Sequence, residues 1–299
     1  MSSQEIENRH SPYVLVTAAR NERDVIRLTL DSVVAQTVAP ELWVIVSDNS
    51  VDGTDELVRD YAAKHPFIRL CRKDEPAERN TAAKVNALDL GISTLAGTGF
   101  AYIGNLDADI SFGERYFETL IERFESDGEL GVIGGRIFHL DARGKAVEMK
   151  SSMESVAGAT QFFRRECFDQ IGGYQPLAGG MEDGIAEISA RYHGWTTRSY
   201  RDLPVVHHRE LGTVGRSVYK ARFNSGATEY LVGFGFGYHV VRAFSRVLEG
   251  PYVVGAALVL AGYAWALLSR RERVVSDELV TFIRREQKTR LASRLGRSR

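Results

Sequence analysis

The sequence predicts an α/β fold, a Rossmann-like, mostly parallel mixed sheet with helices on both faces. Two observations predict it. Short β-branched runs alternate with segments of helical spacing from residue 13 to about residue 127, an order that places parallel strands beside crossover helices. Polar clusters then interrupt the chain just after three of those runs, at 18–22, 48–54 and 107–109, and in such sheets ligands bind beyond the carboxyl ends of the strands.

The elements follow in order. "YVLVTA" (13–18) reads as a buried strand, and the next segment carries Val25, Leu28, Leu30, Val33 and Val34 near helical spacing. "LWVIVSD" (42–48) is a second strand, followed by a helix with Thr54 as its cap. "FIRLCRK" (67–73) and a helix around 80–94 come next, then "FAYIGNL" (100–106) and the helix in "GERYFETLIERFESD". Beyond residue 128 a hairpin from "ELGVIGGRIFHL" and "KAVEMKS" crosses into a mixed sheet, and a helix covers about 185–193. The expected organisation is a polar tail over 1–11, one domain over 12–210, an apolar helical region over 211–269 and a basic tail over 270–299.

Composition narrows the function. A net charge of −1 over 299 residues gives no global basic field, which argues against a nucleic-acid partner. The near-neutrality hides an asymmetry: residues 270–299 hold ten Lys+Arg against four Asp+Glu, a local +6 that leaves −7 on the rest. Cys71 and Cys167, far apart and outside any CxxC spacing, fit a reducing cytosol better than a disulfide framework or zinc site. The N-terminal "MSSQEIENRHSP" has no apolar core of a secretory signal.

Each polar cluster has a structural and a chemical reading. Asn21 and Glu22 in "TAARNE" cap a helix or line a site. Asp48 ends a strand where its carboxylate can accept an N–H from a nucleobase edge, although "DNSVDGT" also suits a plain turn. In "LDAD", residues i and i+2 of an extended segment point the same way, so Asp107 and Asp109 can face one divalent cation. Glu182 and Asp183 follow a glycine stretch, placed either as helix N-terminal acids or as a general base with its neighbour. His207 and His208 follow an apolar strand, where a neutral imidazole can complete a metal shell.

Taken in order, "VTAARNE", "VSDNSVDGT", "AAKVNALDLG", "LDAD", "QFFRRECFDQIGGY" and "MEDGIAEISARYHGW" resemble glycosyltransferase family 2, over about residues 12–210. The resemblance implies the GT-A fold and inverting transfer of a sugar from a nucleotide-diphosphate donor, a UDP-sugar by preference, to a hydroxyl of a glycan or lipid-linked acceptor. It implies Mn²⁺ or Mg²⁺ as cofactor. It assigns Asp48 and the Thr17–Ala18 backbone to the nucleobase, with Glu22 in the same pocket, and Lys84 to the diphosphate. Asp109 becomes the direct metal ligand and Asp107 a helper, with His207 or His208 as a further ligand. Asp183 matches the general base and Glu182 its acidic neighbour. Ser47 stands where the family often has a second acid, and Asp89 where Asn is usual. No QxxRW follows the base motif, which points to one sugar per encounter rather than processive synthesis. The alternatives are a sugar-nucleotide pyrophosphorylase, whose Gly-rich basic GxGxR loop is missing from "VTAARNE", and a membrane-bound binding protein without catalysis.

The run "PYVVGAALVLAGYAWALL" (251–268) carries no charge and is followed by "SRRER". Its length is marginal for crossing a bilayer of about 30 Å. The reading preferred here is an interfacial helix or re-entrant hairpin on the cytoplasmic face of the cell membrane, with homo-oligomer packing as the alternative use of Gly255 and Gly262.

Overall fold

The computed structural model describes residues 10–73, 81–141, 144–177, 180–208, 218–245, 247 and 252–296. The chain divides into two compact units, Met1–Pro176 with Glu182–Glu210, and Leu177–Met181 with Leu211–Arg299.

The first unit is built on β1 (Tyr13–Ala19), β2 (Leu42–Asp48), β3 (Ile68–Lys73), β4 (Tyr102–Asn105), β5 (Ile110–Phe112), β6 (Leu130–Leu140), β7 (Ala146–Glu148), β8 (Phe162–Arg164) and β9 (Thr196–His207). The strand order is β3-β2-β1-β4-β8-β6-β9-β5, with β7 paired to β6 as the expected hairpin. The strands β3, β2, β1 and β4 run parallel, while β8 enters antiparallel between β4 and β6. The helices are α1 (Ile26–Val34), α2 (Thr54–Ala62), α3 (Thr81–Ser93), α4 (Tyr116–Ser126), α5 (Arg165–Ile171) and α6 (Glu182–Tyr192).

The period-2 alternation of strands divides the core in two. Tyr13, Leu15, Trp43 and Ile45 face the cluster that takes Ile26, Leu30 and Val33 of α1, Val58 of α2 and Phe117, Leu120 and Phe124 of α4. Val14, Val16, Val44 and Val46 face the opposite cluster with Val85 and Leu88 of α3, Cys167 and Phe168 of α5 and Ala186 and Ala190 of α6. Both strand faces are therefore apolar, as continuous hydrophobic runs require of central parallel strands. Cys71 and Cys167 are free thiols.

Two local expectations change. Thr54 is the first residue of α2 rather than its cap. The N-cap is Gly53, at φ 94°, and Asp52 just before it accepts the Thr54 N–H at 3.0 Å and its hydroxyl at 2.6 Å through Oδ1, because an Asx side chain reaches the amide two residues on. The "LDAD" segment is not extended either: Ala108 and Asp109 form a turn between β4 and β5. Strand β5, too short to stand out in the sequence, pairs antiparallel with the end of β9.

The second unit contains α7 (Val218–Leu231), α8 (Phe236–Ser245), α9 (Tyr252–Leu268) and α10 (Asp277–Gly296). Helices α7 and α9 touch backbone to backbone. A Cβ on Gly226 would lie 1.8 Å from the Val259 carbonyl oxygen, and one on Gly262 would lie 1.9 Å from that of Phe223. The polar residues of α8 turn inward: the buried Glu229 carboxylate meets His239 Nδ1 at 2.6 Å and Arg242 Nε at 3.1 Å. Tyr263 stacks on His239 at 4.2 Å and its hydroxyl donates to the Phe234 carbonyl. No helix among the described residues is long and apolar enough to cross a membrane.

Candidate active site

The carboxyl ends of β1, β2 and β4 open into a cleft of about 230 Å³ lined by Ala18, Arg20, Glu22, Asp48, Lys84 and Asp107–Asp109, with Ala19, Ala83 and Ala87 leaving room between them. The loops at its rim are fastened to one another. Asn21, at φ 55°, donates its N–H to Ser50, and its side chain accepts the N–H of Val51. The Glu22 N–H reaches the Thr54 hydroxyl and the Arg23 N–H reaches Asp52. The left-handed backbone at Asn21 and at Asn49, φ 58°, is tolerated best by Asn among residues with a Cβ.

Asp48 is 6% exposed and its buried Oδ1 has no hydrogen-bond partner among the described residues, while Oδ2 lies 3.4 Å from Arg20 Nη1. Lys73 stands 3.9 Å from Oδ1, because β2 and β3 pair in register at Asp48 and Lys73. Buried acceptors are normally satisfied, so the orphaned oxygen marks a place for a donor. Thr17 points away from the cleft: its side chain is fully buried and its hydroxyl accepts from the Trp43 indole at 3.0 Å. Ala18 of the same strand does line the cleft.

Lys84 Nζ rests 2.5 Å from Asp107 Oδ1. Burial works against the ammonium, yet the charges of Asp107, Glu182 and Asp183 outweigh it and raise Lys84 above its ordinary value. Asp107, Asp109 and His207 each offer one ligand atom, and these atoms lie within 4.8 Å of one another. His207 Nε2 is 3.4 Å from Asp109 Oδ1. Two carboxylates with one imidazole form a donor set that suits a divalent ion such as Mn²⁺ or Mg²⁺. His208 takes another direction. Its ring meets the Ser111 hydroxyl at 2.7 Å, its backbone N–H donates to the Asp109 carbonyl, and burial lowers the basicity of the ring.

Glu182 and Asp183 open α6 and do not line the cleft, although both charges act on Lys84. Asp183 is held firmly. Oδ2 accepts the Gly158 N–H at 3.1 Å and Oδ1 accepts the Gly184 N–H at 2.7 Å. A Cβ on Gly158 would sit 2.9 Å from that carboxylate, so glycine is needed for the approach. Burial first, and then Asp183, push Glu182 up to about 7, against the pull of Lys84.

Sequence reasoning missed Arg20, Lys73 and Gln161. Gln161 Nε2 donates to the Asp183 and Val156 carbonyls and approaches Glu187, while its Oε1 accepts from the Tyr174 hydroxyl. The available signal was an amide opening the apolar run "QFF", since a polar residue in such a place is normally a satisfied hydrogen-bonding centre. Arg20 and Lys73 carried no signal beyond being basic residues at strand ends.

A curled, mostly parallel sheet that gathers a buried acid, a cation and an Asp-Asp-His group at its strand ends has the architecture of a GT-A glycosyltransferase. The profile of the family described as "Glycosyl transferase family 2" matches residues 14–181. The chain belongs to that family. Similar curated proteins include poly-beta-1,6-N-acetyl-D-glucosamine synthase of Staphylococcus epidermidis, 30% identical over 118 residues, which are 40% of this chain and 26% of that protein. Another is 4,4'-diaponeurosporenoate glycosyltransferase of Staphylococcus aureus, 26% identical over 135 residues, 45% of this chain and 34% of that one. The chain thus spans about a quarter to a third of these relatives' length. Among solved structures, S. aureus TarS 1–349 with UDP-GlcNAc aligns at a TM-score of 0.61 and 14% identity over 86% of this chain and 81% of that one. Mannosyltransferase PcManGT from Pyrobaculum calidifontis with GDP-Man and Mn²⁺ aligns at 0.55 and 16% over 96% and 81%. At these identities the structures establish the fold.

Proposed function

We propose that the protein transfers one sugar, with inversion, from a nucleoside-diphosphate donor to a hydroxyl of a glycan or lipid-linked acceptor, and that a divalent cation assists. The observation that carries this reading is the convergence of Asp107, Asp109 and His207 beside Lys84, in the same cleft as the half-satisfied carboxylate of Asp48. Asp48 accepts a base N–H through its free oxygen. A uridine donor is preferred, although the fold itself serves UDP-GlcNAc in one neighbour and GDP-Man in another. Asp107, Asp109 and His207 would hold Mn²⁺ or Mg²⁺, which when bound neutralises the departing diphosphate as a Lewis acid. Lys84 adds a second positive charge on the same side. Asp183, fixed by two backbone N–H groups, takes the acceptor's proton as its oxygen attacks the anomeric carbon. Glu182, raised by burial, is the neutral neighbour that spares Asp183 a second full negative charge below about pH 7.

A panel of uridine, guanosine and thymidine diphosphate sugars, assayed for donor hydrolysis and transfer with Mn²⁺ or Mg²⁺, tests the reading. One donor should turn over, and chelator should stop it. The Asp183→Asn variant should lose roughly 10²–10⁴-fold in kcat while still binding nucleotide. Transfer at wild-type rate by that variant would remove Asp183 as the base, and turnover undiminished in excess chelator would remove the metal.

A further inference from the structure

We infer that α9 is the docking face of the second unit for an anionic lipid bilayer, lying in the interface rather than crossing it. One side of this helix is already committed. Gly255, Ala256, Val259, Gly262, Tyr263 and Ala266 are buried, and the glycine contacts with α7 leave no room there. The opposite side, on the i, i+3, i+7 spacing of a helical stripe, carries Val254, Ala257, Ala261, Ala264 and Leu268, all exposed, with Trp265 and Val253 beside it. Leu268 is 81% exposed and Val253 68%. Over 17 residues, about 25 Å of helix, this face presents no charge, and its one hydrogen-bonding group is the Trp265 indole. Lone exposed apolar residues are ordinary, but a continuous uncharged stripe of this length marks an interaction surface.

The charges at its end identify the occupant. Arg270, Arg271 and Arg273 follow immediately, all exposed, with Glu272 as the sole acid among them. The Arg271 guanidinium lies 5.0 Å from the Trp265 ring, so an amphipathic aromatic and a cation share the end of the apolar face. That is the arrangement of an interfacial helix, with Trp at headgroup depth and Arg against anionic phosphates. The +6 of residues 270–299 complements an acidic headgroup layer. A second copy of the chain brings the same positive charge and complements it poorly. The described helix is 17 residues long, too short to span.

Flotation of the full-length chain with vesicles of phosphatidylcholine, alone or mixed with phosphatidylglycerol, tests the inference. The wild type should float with the mixed vesicles, and high salt should weaken the binding. Replacing Arg270, Arg271 and Arg273 by Gln should weaken anionic binding by roughly fivefold per residue and leave the small affinity for pure phosphatidylcholine unchanged. Val254→Glu with Leu268→Glu should weaken binding to both vesicles by at least roughly tenfold. Tryptophan emission reports on the face without disturbing it: vesicles should blue-shift the wild type and leave the Trp265→Phe variant unshifted. No flotation, flotation indifferent to these changes, or a shift that survives Trp265→Phe would overturn the inference. So would a dimer in size-exclusion chromatography with light scattering that Val254→Glu and Leu268→Glu dissociate while vesicles go unbound.

Discussion

At the scale of single residues the site is dominated by the pairing of Lys84 with Asp107. The same carboxylate belongs to the group proposed to hold the cation, so on that reading Lys84 would share a metal ligand with the ion. Removing the ammonium should therefore have opposite effects on two ligands. Lys84→Met should bind Mn²⁺ alone roughly fivefold more tightly and UDP alone several-fold more weakly, both read by titration calorimetry. Unchanged Mn²⁺ affinity would mean that the pair does not compete with the ion. Glu187 gives a second residue-scale expectation. Burial pushes it up to about 8, with Arg191 at 3.8 Å pulling the other way, and it accepts the Val156 N–H. A carboxyl raised on folding contributes stability that is complete below its unfolded value near 4.5 and lost as pH rises through about 8. The neutral Glu187→Gln variant keeps the acceptor and loses that slope. Melting curves should show the wild type falling relative to the variant across this range, and parallel profiles would refute the assignment.

At the scale of elements, strand register chooses between the two histidines. Successive residues of a strand face opposite sides, so a slip of one position would exchange them. The pairing of β5 with β9 sets His207 opposite Ile110, directly after the Asp109 turn, and sends His208 to Ser111. His207→Ala should accordingly weaken Mn²⁺ binding by roughly tenfold or more, while His208→Ala should leave it within a few-fold of wild type. Equal losses in calorimetry would place both rings at the ion. A contact between elements also bears on α6: the Gln161 side chain, just before β8, donates to the Asp183 carbonyl.

At the scale of the whole molecule, the chain joins the sheet that carries the candidate site to a helical unit with an outward apolar face and a positively charged end. Ligands of the first unit should stabilise it by mass action. Saturating UDP with Mn²⁺, at about a hundred times the dissociation constant, adds about 2.7 kcal/mol and should raise the melting temperature by several degrees. Chelator should cancel the metal-dependent part, and Asp109→Asn should show little of it. A melting temperature indifferent to UDP and Mn²⁺ would count against the cleft as the nucleotide site.

Much of this was legible in the sequence, because it is written in local chemistry. Alternating apolar runs pointed to the α/β class, and the ordered motifs from "VTAARNE" through "LDAD" pointed to the family whose model matches residues 14–181. Distances between elements were not legible, since they depend on register and packing across long sequence separations. Only the tertiary structure turned "LDAD" from an extended pair into a turn, separated His207 from His208, buried Thr17 under Trp43 and brought Arg20 and Lys73 to Asp48. It likewise divided the apolar helix into a face consumed by α7 and a face left outward. The sequence determined which chemical groups exist and on which kind of element each rides. Which of them meet, and which do not, was decided by strands and helices far apart in the chain, through hydrogen-bond registers and close contacts that no local pattern encodes.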